Sequence, residues 1–201
     1  MKIGRETIPK TAISTSDADA IVVRGMDLCQ DLIGQTSFSD YFLLLLTGQP
    51  ANETRRRVLD ATLVAIAEHG LVPSVQASRM TYAAAPEALQ GAVAAGILGC
   101  GSVILGASQD AGVLFDEIAR QVDEGKSVKQ AAFDVVSAMR QERKPIPGYG
   151  HPLHKARDPR VEALFRVARE AGADLRFMEI ADAVEAVIPE IIGKDLKLNV
   201  S

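Results

Sequence analysis

The chain has 201 residues, 47% of them apolar, and a formal net charge of -4 at pH 7. That supplies one compact core, or a core with a smaller lobe, and reads as a soluble globular protein. No apolar run reaches the roughly 18 residues of a membrane span, no basic segment with a hydrophobic core opens the chain, and acids interleave with bases everywhere except Arg55-Arg56-Arg57, so neither a membrane nor a nucleic-acid partner is expected. Cytoplasmic location is the default. Cys29 and Cys100 lack metal-ligand spacing and read as small buried hydrophobes, so no metal is implied.

In chain order, Ala20 to Arg24 reads as a short extended stretch before a helix from Met26 to Ile33. Ser39 to Leu46 is a second apolar helix. Asn52-Glu53 opens a pattern running to His69, closed by Gly70 in the C-cap position. Its apolar positions Val58, Leu59, Leu63 and Ile66 leave the arginine run on a solvated face. Ser74 to Ala85 and Glu87 to Leu98 follow, separated by Pro86 and rich in Ala, Gly and Ser. Glycine costs about 1 kcal/mol relative to alanine inside a helix. Gly91, Gly96 and Gly99 therefore imply close packing, either within a core or across a symmetric dimer interface.

The glycine-rich stretch from Gly99 to Gly106 is a candidate hinge between two lobes. Beyond it, helices are expected at Ser108 to Asp123, Val128 to Gln141, Pro159 to Ala171 and Phe177 to Ile192. Alternating apolar runs long enough for a sheet are nearly absent, and the fold class is all-α. The chain stops on the apolar stretch Leu196-Lys197-Leu198-Asn199-Val200-Ser201, which reads either as a natural end or as a sequence cut short at its C-terminus.

Chemistry concentrates in Pro145-Ile146-Pro147-Gly148-Tyr149-Gly150-His151, followed by His154, Lys155 and Arg157-Asp158-Pro159-Arg160. Pro147, Gly148 and Gly150 make a tight turn with accessible backbone groups. His151 titrates near neutrality, and Lys155 and Arg160 carry donors suited to phosphate and carboxylate. The plainer reading is a surface loop before a helix that starts at Asp158-Pro159. Tyr149 either packs on a ligand ring or fills the turn.

This run resembles the signature of the citrate synthase superfamily. Arg24-Gly25-Met26-Asp27-Leu28, Phe42 to Pro50 and Glu68-His69-Gly70 resemble other segments of that family in order and spacing. Gly106-Ala107-Ser108-Gln109-Asp110-Ala111 and Leu198-Asn199-Val200 look most like citryl-CoA lyases and the lyase module of ATP-citrate lyase. The resemblance implies a two-lobed helical fold: a large domain with dimer-interface helices over 1–105, a small domain over 106–195, and the start of a return to the large domain at 196–201. It implies a homodimer that binds a coenzyme A thioester together with a di- or tricarboxylate. Pro145, Ile146, Pro147, Gly148, Tyr149 and Gly150 would cradle the adenine end of coenzyme A through their backbone, and Lys155 would meet a coenzyme phosphate. His151 would hydrogen-bond the reacting oxygen as the catalytic group, and His69 and Arg160 would grip substrate carboxylates.

Two positions depart from the family pattern. Leu105 stands where synthases carry a histidine that helps enolise the thioester, and Ser201 matches the catalytic aspartate. A serine of ordinary pKa cannot serve as the base that removes a proton alpha to a thioester. Because lyase modules also manage without the histidine, Leu105 favours cleavage of citryl-CoA to acetyl-CoA and oxaloacetate. A synthase-type acyltransferase acting on oxaloacetate or another 2-oxo acid is the second reading. The double change also admits a paralogue that binds a coenzyme A ester without turning it over.

Overall fold

The computed structural model describes residues 11–68, 70–101, 106–150 and 157–200. Two compact units divide the chain, one ending at Ala61 and the other beginning at Thr62. Helix dominates, as expected, with one small sheet among the described residues.

In the first unit, β1 (Ser14–Ser16), β2 (Ile21–Val23) and β3 (Met26–Asp27) form an antiparallel sheet in that order. Val23 faces Met26 across the turn Arg24-Gly25, in which both residues have positive φ, 49° and 82°. This two-residue geometry matches the right-handed twist of the strands it joins. Here the expectation of a helix from Met26 to Ile33 fails. Met26 and Asp27 pair as a strand, and the Asp27 carboxylate accepts the amides of Cys29 and Gln30, starting a single π-helical turn over Leu28–Leu32. Helix α1 (Phe38–Thr47) is capped by Ser37, whose hydroxyl accepts the Asp40 amide, and ends at Gly48 with φ 70°. Val23, Leu32 and Leu44 form the buried centre of this unit. The guanidinium of Arg24 donates from Nε and Nη2 to the Leu45 carbonyl near the end of α1. Helix α2 (Glu53–Ile66) stops three residues short of the expected end. On it Arg55 and Arg57 are exposed, and Arg56 pairs with Asp40 at 3.3 Å.

In the second unit, α3 (Pro73–Ala84) and α4 (Leu89–Leu98) form a close helical hairpin. A Cβ at Gly96 would lie 3.2 Å from Ser78 Cβ, and one at Gly99 would lie 3.0 Å from Ser74 Cα. The small residues thus let two backbones approach within one chain, which offsets their poor helix propensity. Helices α5 (Gly106–Asp123), α6 (Val128–Gln141), α7 (Pro159–Glu170) and α8 (Arg176–Ile192) enclose the main core. Apolar residues on α8 recur at helical spacing, so Ile180, Val184, Val187 and Ile188 are all fully buried. Helix α8 packs on α6 and α5 and carries Ala181 at the base of the candidate loop.

Candidate functional site

The loop from Pro145 to Gly150 is set by what lies at each end. Helix α6 closes with Arg143 in the left-handed region at φ 56°, and Lys144 donates its amide back to Met139 at 2.9 Å. Ile146 and Tyr149 are buried among the core residues and pin the loop to α5 and α8. Gly148 and Gly150 flank Tyr149 at φ 83° and 85°, a region costly to any residue with a Cβ.

The tyrosine that sequence left open fills the core. Its hydroxyl donates to the Ala181 carbonyl at 2.8 Å, and its ring meets Phe115 edge-on at 6.5 Å. Burial, with Glu185 nearby, holds the phenol protonated far above its ordinary range. The ring is therefore committed to packing, and the loop's exposed surface is Pro145, with Pro147 and Gly150 half-buried.

Segment 197–199 pairs antiparallel to this loop, with Tyr149 opposite Leu198. Gly150 N donates to Lys197 O at 2.7 Å, Asn199 N to Gly148 O at 2.8 Å, and Asn199 Nδ2 to Gly150 O at 2.7 Å. Leu198 N donates in turn to Glu185 Oε2 at 2.9 Å. The carbonyls of both glycines thus have fixed donors. In the sequence Asn199 belongs to a stretch of resemblance and carries no role of its own. Its role follows from the long-range pairing with the loop.

After the loop, Asp158 caps α7 and Pro159 occupies its first turn, as the sequence implied. Arg160 lies against Asp158, whose Oδ1 accepts from Nε at 3.1 Å and Oδ2 from Nη2 at 2.8 Å. That hydrogen bond raises the Arg160 pKa further. Arg157 joins α7 to α8: it pairs with Glu162 at 3.2 Å, Glu185 at 3.7 Å and Asp182, and lies 5.2 Å from the Phe165 ring centroid. Its contacts are structural, and the sequence had left it without a function.

A cavity of about 450 Å³ opens beside the loop. Its walls are Val113 and Leu114 of α5, Val135 and Met139 of α6, and Pro145 and Pro147, with Asp110, Glu117 and Lys144 supplying charge. Two of the six candidate loop residues therefore line an apolar recess. His69, His151 and Lys155, like Leu105, His154 and Ser201, lie outside the described residues. Among the described residues no group of three or more His, Cys, Asp or Glu side chains is placed to hold a metal ion.

Known proteins resemble this chain in structure and in sequence. The structure is similar to that of citryl-CoA lyase from Hydrogenobacter thermophilus, with TM-score 0.82 and 36% identity over 96% of this chain and 72% of that one. It shares its fold with ATP citrate lyase from Methanosaeta concilii in complex with (3S)-citryl-CoA, at TM-score 0.78 and 24% identity over 98% of this chain and 31% of that chain. Citrate synthase of Haloferax volcanii is 29% identical over 156 residues, 76% of this chain and 39% of the relative. Citrate synthase of Synechocystis is 26% identical over 162 residues, 78% of this chain. The chain spans 39% and 38% of the lengths of these two relatives. Residues 24–201 match the family model described as the citrate synthase C-terminal domain, and the chain belongs to the citrate synthase family.

Proposed function

We propose that the protein cleaves citryl-CoA to acetyl-CoA and oxaloacetate. The observation that carries this reading is the 36% identity to a citryl-CoA lyase that the alignment covers over 72% of its own length. Leu105, in place of the histidine expected of a synthase, favours the same direction.

In the proposed reaction the hydroxyl of the citryl group loses its proton as the new carbonyl of oxaloacetate forms. The electron pair of the breaking carbon-carbon bond passes to the thioester enolate, which takes a proton on carbon to become acetyl-CoA. His151 hydrogen-bonds the oxygen on which charge develops, while Arg160 and His69 hold carboxylates. The backbone of Pro145 to Gly150 holds the adenine end of coenzyme A, and Lys155 meets one of its phosphates. The apolar recess lined by Pro145 and Pro147 supports a ligand seated against this loop. Ser201 is not the base, so the protons are moved by water or by a group outside these residues.

Residues 1–105 form the large domain in this reading, 106–195 the small domain, and 196–201 begin the return to the large one. The working form is a cytoplasmic homodimer. Exposed Leu89, Val93 and Ile97, spaced four residues apart on α4, support a partner face on the hairpin.

A synthase reading draws on the two curated citrate synthases among its relatives. The deciding assay supplies citryl-CoA in one reaction and acetyl-CoA with oxaloacetate in another, and follows free thiol and oxaloacetate. Cleavage much faster than condensation is expected. Thioester binding without turnover in either reaction would leave a binding paralogue and overturn the enzymatic reading.

A further inference from the structure

Asp158 is the one charged residue among the described residues that is almost wholly removed from solvent, at 1% exposure. A buried carboxylate persists only where it is paired and hydrogen-bonded. Here the pairing is with Arg160 and is threefold: Oδ1 accepts from the Arg160 amide at 3.0 Å and from Nε at 3.1 Å, and Oδ2 accepts from Nη2 at 2.8 Å. Capping α7 requires only the first of these. The other two leave the helix end unchanged and fix the plane of the guanidinium. Asp158 is held in turn, since its amide donates to the Leu198 carbonyl at 3.3 Å. The Arg160 side chain is 31% exposed while its partner's is 0% exposed, so one edge of the pair is anchored in the interior and the other reaches the surface. Among the described residues nothing hydrogen-bonds to Nη1 on that outer edge.

An arginine needs no neighbour to stay charged. What a buried carboxylate adds is direction, and it also opposes the attraction of the guanidinium for another anion. We propose that Asp158 is a positioning residue for Arg160, fixing the guanidinium so that its outer edge receives a carboxylate of a di- or tricarboxylate ligand. The inference rests on the reading of Arg160 as a carboxylate grip. A guanidinium fork held in plane loses less freedom on binding than a loose one, which is the gain set against the partial neutralisation.

The test uses the full chain with citrate as the probe, read by calorimetry alongside a melting curve. Asp158→Asn keeps a good N-cap and removes the charge that orients the guanidinium. Arg160→Lys keeps the charge and loses the fork, and Arg160→Gln removes both. Each of the three is expected to weaken citrate binding about tenfold or more. The double variant Asp158→Asn with Arg160→Gln is expected to bind no worse than Arg160→Gln alone, with binding of free coenzyme A unchanged throughout. Unchanged citrate affinity in Asp158→Asn, full affinity in Arg160→Lys, or losses that add in the double variant would each overturn the positioning role. If Asp158→Asn does not fold, the result for Arg160→Lys decides. Unchanged affinity in Arg160→Gln would instead reject the carboxylate grip itself and the inference with it.

Discussion

The Tyr149 hydroxyl reaches the Ala181 carbonyl across 32 residues of sequence and ties the candidate loop to the middle of α8. That carbonyl already lies inside a helix, whose backbone ladder supplies it with a donor four residues on. Removing the hydroxyl therefore leaves the acceptor with one partner rather than none. Tyr149→Phe is expected to lower unfolding free energy by about 1 kcal/mol, near the net worth of one hydrogen bond, with coenzyme A binding kept. Urea denaturation and calorimetry check both halves. Unchanged stability with lost binding would mean that the hydroxyl serves the ligand rather than the core.

Gly148 and Gly150 hold the loop in a conformation that side chains resist. At Gly150 an added Cβ would meet Leu196 Cδ2 at 3.5 Å, an ordinary contact, so crowding is not the obstacle. The φ of 85° is the obstacle. Gly150→Ala is expected to cost roughly 1–2 kcal/mol through left-handed strain. The loop relieves part of that strain by shifting, which moves the carbonyl that Asn199 holds. Coenzyme A affinity measured on the folded variant should fall by more than it does for Tyr149→Phe.

The parts of this site that local pattern dictates were legible in advance. Gly148 and Gly150 mark a turn by their own chemistry, and Asp158-Pro159 marks a helix start because an acceptor at the cap and a fixed φ after it suit no other arrangement so well. The pairing of Tyr149 with Leu198 has no such local mark: it joins residues far apart in sequence, and one bridge carries no alternation to read. The hairpin at Arg24-Gly25 was hidden for another reason. Its first turn residue is an arginine at φ 49°, where Asn, Asp or Gly would have signalled the turn. The roles of Asp158 and Asn199 beyond their backbone come from contacts, and contacts follow from the fold.

The α3–α4 hairpin separates glycines by what surrounds them. A Cβ at Gly91 would meet only Ala88 Cβ at 3.8 Å, whereas at Gly99 it would press on the Ser74 backbone at 3.0 Å. Gly91→Ala is expected to stabilise the protein by up to about 1 kcal/mol through helix propensity. Gly99→Ala forces the helices apart and is expected to destabilise by about 1–3 kcal/mol, the range for overpacking. Thermal denaturation of both variants provides the comparison. Equal shifts in the same direction would show that the hairpin tolerates separation.

On the outer side of the same hairpin, Leu89, Val93 and Ile97 are 62%, 52% and 66% exposed. Helical spacing places them on one stripe, and Met80 and Tyr82 on α3 are exposed as well. Single exposed apolar side chains need no explanation, but a continuous stripe marks a contact surface. In the proposed homodimer this stripe meets its symmetry mate, so one substitution acts twice. Val93→Asp would then bury two like charges near each other without partners, a cost of several kcal/mol that a solvated helix face would not feel. Sedimentation of the full chain is expected to show a dimer for the parent and a monomer for Val93→Asp, while far-ultraviolet dichroism stays the same. A monomeric parent, or a variant that sediments as the parent does, would remove α4 from the interface.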